Sequence, residues 1–120
     1  MSRIIHVDNS TFFRKVTQAF LESQGYAYIG YARGEDAIDA AISGSGDCVI
    51  CGLELADMNG EDFIRQLAVS ASLLPVIVVS GYDDEQKSKR LQDLGVRAII
   101  QKSGDWKTAL KEHLAQINEE

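Results

Sequence analysis

The strongest constraint on this chain is an alternation. Five short apolar runs, Arg3 to Val7, Tyr26 to Ala32, Asp47 to Cys51, Val76 to Val79 and Val96 to Gln101, are separated by stretches with apolar residues at helical spacing. Runs of this length, rich in β-branched and aromatic residues, read as strands; the stretches between them read as amphipathic helices. Strands that alternate with helices predict an α/β fold, a doubly wound parallel sheet with helices on both faces and right-handed crossovers. In such a sheet every strand ends on the same edge, and ligands bind in the crevice outside those carboxyl ends.

Local punctuation supports the alternation. Asn9 or Ser10 is placed to cap the first helix, which carries Phe13, Val16 and Phe20 on one face and stops at Gly25. Gly34-Glu35-Asp36 opens a second helix with Ala37, Ile38, Ala41 and Ile42 on its apolar side. Asn59-Gly60 is a turn with a helix start behind it, followed by Phe63, Ile64 and Leu67. Pro75 opens the fourth strand, a position where proline is tolerated. Asp83-Asp84-Glu85 begins a fourth helix, with Leu91 and Leu94 facing the core, and Asp105 or a neighbour caps a fifth that carries Trp106, Leu110, Leu114 and Ile117.

The totals bound what such a fold can do. At 120 residues the chain is expected to be one domain over its whole length. A formal net charge of -6 argues against binding nucleic acid or an anionic membrane. No apolar run is long enough to span a bilayer and the N-terminus lacks a signal-peptide layout, so a cytoplasmic location is expected. Cys48 and Cys51 spell C-x-x-C, but residues three apart in a strand point to opposite faces, so two buried thiols are expected rather than a redox or zinc pair. His6, inside the first strand, reads as a packed core residue.

The strand ends bring Asp8, Asn9, Gly52, Ser80 and Lys102 to one edge. Together they form a polar cluster of mixed charge with no obvious nucleophile, and no P-loop or G-x-G-x-x-G run occurs. An enzyme is not expected. Here the chain resembles the receiver domains of bacterial two-component response regulators. The resemblance rests on Val7-Asp8-Asn9-Ser10, Leu55-Ala56-Asp57-Met58-Asn59-Gly60, Pro75 to Gly81 and Gln101-Lys102-Ser103, in this order. It implies a flavodoxin-like (βα)5 sheet of strand order 2-1-3-4-5.

The resemblance also implies roles. Asp8 matches one of two acids that hold Mg²⁺, Ser80 the hydroxyl and Lys102 the lysine that contact a phosphoryl group. Asn9 falls where the second acid is usual, and Gly52 where an aspartate accepts the phosphoryl group from a histidine kinase. Ser103 replaces a proline, and Ile99 replaces the aromatic ring of switching receivers. These departures give the expectation of a degenerate receiver: a signalling module acting by protein–protein interaction, not phosphorylated at residue 52. No cofactor is expected, Mg²⁺ binding at Asp8 being weak or absent, and Lys102 is expected to pair with Asp8.

Alternatives stay open. Phosphorylation at a displaced carboxylate, Asp8, Glu54 or Asp57, is one, although Asp57 reads as an exposed acid in the loop beyond the strand. A small-anion sensor using the room above Gly52 is another. The expected partner is a signalling protein or output domain. Contact through Lys87, Arg90, Leu91, Ile99 and Trp106, with a possible homodimer on the same helix 4, strand 5 and helix 5 face, follows the family's habit.

Overall fold

A computed structural model describes residues 2–81 and 84–120. Five strands, β1 (Arg3–Val7), β2 (Ala27–Tyr31), β3 (Cys48–Cys51), β4 (Val76–Ser80) and β5 (Ala98–Gln101), alternate with five helices. The helices are α1 (Thr11–Ser23), α2 (Gly34–Ile42), α3 (Gly60–Ser70), α4 (Glu85–Asp93) and α5 (Trp106–Asn118). All strand pairs are parallel, and the sheet order is β2-β1-β3-β4-β5. This is the flavodoxin-like (βα)5 architecture expected from the alternation and the resemblance.

The sheet divides the core in two. α1 and α5 cover one face, where Phe13, Leu21, Leu110 and Leu114 pack on Ile4, Ile50 and Ile77. α2, α3 and α4 cover the other, where Ala37, Phe63, Leu67 and Leu91 pack on Ile5, Val49 and Val78. β3 and β4 are buried along their whole length, which is why they read as unbroken apolar runs. Cys48 belongs to the first face and Cys51 to the second, and neither forms a disulfide. Burial pushes the Cys48 thiol up to about 12, so it stays protonated and unreactive at neutral pH.

Boundaries moved where hydrogen bonding, not composition, decides. β2 is the half-buried edge strand and loses Tyr26 and Ala32 from the expected run; β5 begins at Ala98 rather than Val96. Ser10 caps α1 by accepting from the Phe13 N–H at 3.1 Å. Asp84 caps α4 by accepting from Gln86 and Lys87 N–H; Asp83, expected in the same helix start, lies outside the described residues. Asp105 occupies the N-cap of α5 but accepts from the Thr108 hydroxyl at 2.7 Å rather than from a backbone N–H. Among the described residues no helix is long and apolar enough to cross a membrane.

Candidate functional site

The carboxyl edge of the sheet holds a cavity of about 480 Å³ lined by Asp8, Asn9, Ser10, Glu54, Ser80 and Lys102, with Leu53 and Gly81 completing it. Asp8 is fixed from several directions. Its Oδ1 accepts from Ser10 N–H at 2.8 Å, its carbonyl accepts from Arg14 at 2.6 Å, and its N–H donates to Tyr31 at 3.0 Å. Its Oδ2 meets the Lys102 ammonium at 2.8 Å. That ammonium also lies over the Phe13 ring, 4.2 Å from its centre. Ser80 is buried, and its carbonyl accepts from Lys102 N–H at 2.8 Å. Asn9 is exposed, and its backbone N–H donates to the Glu54 carbonyl at 3.2 Å.

Gly52 stands directly beside this pair. A Cβ at residue 52 would lie 2.6 Å from Asp8 Oδ2. The Asp8 carboxylate therefore fills the space a side chain there would need. Mg²⁺, implied by the family resemblance, prefers oxygen donors that include carboxylates. Here Asp8 gives Oδ2 to Lys102, Asn9 contributes an amide and residue 52 has no side chain. That donor set does not fit the ion.

Gly60 explains the Asn59-Gly60 turn. A Cβ at residue 60 would collide with the Gly52 carbonyl oxygen and the Leu53 Cα, both backbone. Asn59 caps α3 through Asp62 N–H at 2.8 Å.

Asp57 is the residue the sequence placed least well. It is not an exposed loop acid: its side chain is 12% exposed. Its Oδ1 accepts from Gly34 N–H at 2.7 Å and its Oδ2 from Glu35 N–H at 3.1 Å, with the Arg33 guanidinium 3.9 Å away. Burial raises its carboxyl pKa, but the two N–H groups and Arg33 outweigh it and hold the group below the usual carboxylate range. A signal for this clasp was present. The residue before α2 is Arg33, which makes no side-chain cap, so the first amides of α2 need an acceptor from elsewhere.

The expected partner surface is not a continuous exposed patch. Leu91 is 1% exposed and belongs to the core, as its helical spacing indicated, so it cannot serve the partner surface that the family's habit suggested. Ile99 is half-buried against the same core. Trp106 packs on Phe13 with ring centres 4.9 Å apart. Arg90 is tied to Glu61 of α3 at 2.8 Å, and Lys87 is half-buried.

Residues 4–114 match the response regulator receiver domain family. The chain belongs to that family. The domain is a signalling fold rather than a catalytic one, working through partner proteins. The chain is 33% identical over 114 residues to protein PilH of Pseudomonas aeruginosa, covering 92% of this chain and 93% of PilH. It is 34% identical over 101 residues to a protein-glutamate methylesterase/protein-glutamine glutaminase of Bacillus subtilis, covering 82% of this chain but only 28% of that protein. In fold it is similar to a CheY-like receiver domain protein from Methanospirillum hungatei, with TM-score 0.89, 22% identity, and 99% and 95% of the two chains covered.

Receiver membership and Asp57 together correct the expectation of a degenerate receiver. The loop after β3 keeps an intact aspartate, engaged by two N–H groups and a guanidinium and held in its ionised form. The glycine at residue 52 does not by itself leave the domain without a carboxylate to take a phosphoryl group.

Proposed function

We propose that this receiver domain, acting as one unit over residues 1–120, takes a phosphoryl group on a displaced carboxylate, Asp57, and signals to a kinase-linked partner or output domain. The observation that carries this reading is the setting of Asp57 at the start of α2. A helix N-terminus favours negative charge, and its free N–H groups bind phosphate oxygens. Arg33 adds a cation able to pair with the same oxygens. In the transfer step one Asp57 oxygen attacks phosphorus of a phosphohistidine. The O–P bond forms as the P–N bond breaks, and the leaving imidazole nitrogen keeps the electron pair and takes a proton from water. Glu54 lines the cavity beside Lys102, and Asp8 is already bound to that lysine, so each is a competing acceptor to be separated by experiment.

Incubation with acetyl phosphate, followed by intact-mass measurement, tests the reading. The wild-type chain gains one hydroxylamine-sensitive phosphoryl group; Asp57→Asn abolishes it, while Glu54→Gln and Asp8→Asn retain it. An unmodified wild-type chain, or an adduct that survives Asp57→Asn, overturns the assignment.

A further inference from the structure

The ties of the loop around Asp57 lead toward α2. Besides the Asp57 clasp, Ala56 N–H donates to the Ala32 carbonyl at 2.8 Å. The Met58 sulfur stands 2.8 Å from where a Cβ on Gly34 would be, so a side chain there would push the Met58 side chain aside. Gln66 of α3 reaches the same sulfur at 3.8 Å. A change at Asp57 therefore bears first on α2 and α3, whereas Leu91 is buried and Ile99 and Trp106 are half-buried in packing contacts.

The outer sides of α2 and α3 carry two of the four large exposed apolar side chains among the described residues, the others being Phe12 and Leu73. Ile42 is 58% exposed and Val69 is 87% exposed, each near the end of its helix. Both helices start at the carboxyl edge of the parallel sheet, so these two apolar side chains share the opposite end. Glu35, Asp39 and Ile42 follow one another at helical spacing on the exposed side of α2, and Asp62 is exposed on α3. Asp39 and Asp62 have no cationic partner among the described residues. Glu35 and Asp36 are tied to Arg33, and Glu61 to Arg65 and Arg90, which leaves Asp39 and Asp62 as the unpaired acids; with the apolar side chains at one end, these two complement a basic helix with an apolar seam.

We infer that the outer face of α2 and α3 docks a basic amphipathic helix of a partner protein, and that Asp57 governs this face by holding the first turn of α2. The docking follows from the exposed apolar and acidic side chains. Its control rests on Asp57 as the phosphoryl acceptor.

The probe is a synthetic peptide whose helical form places lysines on one side and leucines on the other. A control peptide has the same composition, scrambled so that the leucines share no face. Titrated into the ¹⁵N-labelled chain, the first peptide shifts amides concentrated in 34–42 and 60–70. Its affinity falls about tenfold in Ile42→Ser/Val69→Ser, equivalent to about 1.4 kcal/mol. Asp39→Lys weakens it further at low salt. Equal binding of the scrambled peptide, or shifts centred on α4, β5 and α5, overturns the docking. Treatment with acetyl phosphate changes the peptide affinity of wild type but not of Asp57→Asn. An adduct on Asp57 with unchanged affinity overturns the control alone. Docking without any adduct leaves the surface standing and removes the acceptor role instead.

Discussion

Two carboxylates at the same edge of the sheet are held in different ways. Asp8 is buried and neutralised by a single ammonium, Lys102. Asp57 is half-buried and is held by two backbone N–H groups at a helix start. The first arrangement ties strand β1 to the end of β5. The second ties one loop to one helix. An ion pair of this kind is costly to break from one side, because it strands the other charge. A helix-end clasp loses less when removed, because water reaches the freed amides. The Asp8 region is thus a fixed strut, and the Asp57 clasp is the tie that costs less to release.

Acid should separate the two regions most strongly. His6 lies in the Asp8 half of the molecule, with Nδ1 2.6 Å from the Tyr28 hydroxyl and its ring against Phe13. Burial, then the nearby charges of Lys102 and Arg14, lower its pKa from 6.5 to about 3. Between those values the unfolded chain binds a proton that the native chain does not. Stability therefore falls as pH falls through that window, by roughly 1.4 kcal/mol per pH unit from this group. The Asp57 carboxyl is also depressed, but its contribution is fully present above its ordinary value of 3.8 and is lost only below it. Urea unfolding at a series of pH values reads this directly. In His6→Gln the slope between pH 6.5 and 4 flattens; an unchanged slope would assign the acid sensitivity to other groups.

The next largest effect falls on the tight turn between the two regions, where Gly60 packs on the Gly52 and Leu53 backbone. Gly60→Ala drives a methyl group into the backbone of Gly52 and Leu53, which have no rotamer to give. The expected loss is about 3 kcal/mol, measured by urea denaturation. A loss under half of that would mean that the turn yields easily. Lys102→Met comes third. It strands Asp8 beside Gly52, and because Lys102 is 25% exposed the expected cost is reduced to about 2 kcal/mol. Asp8→Asn in the same chain should recover most of it. Purely additive losses in that double-mutant cycle would show that the two side chains do not act as a pair.

The contrast also marks what the sequence makes legible. The strut side was readable because each of its members sits at a strand end, and strand ends in a parallel sheet meet whatever the loops do. The opposite faces of Cys48 and Cys51 and the Asn59 cap were readable for the same reason: pleat and first-turn geometry are local. Asp57 was not. Its partners, Gly34 and Glu35, are more than 20 residues away in sequence and meet it only through the packing of one loop on another. Periodicity carries no information about that contact, and a polar residue in a loop resembles a solvated one. Leu91 was read two ways: helical spacing put it on the core face, where it is buried, and only the family's habit put it on a partner surface.

Asp57 itself gives the smallest and most local effect. Asp57→Ala removes both acceptors from the first turn of α2, a loss comparable to deleting an N-cap, about 1 kcal/mol. Asp57→Asn keeps one acceptor oxygen and should cost about half as much. Hydrogen exchange sharpens the test beyond global stability. In Asp57→Ala the Gly34 and Glu35 amides should lose protection while the amides of β1 and β5 keep theirs, because the clasp opens without the strut. Loss of protection spread evenly across the sheet would mean that the two regions form one cooperative unit. The distinction between a rigid half and a responsive half would then fail, and with it the reason for tracing a signal from Asp57 toward α2.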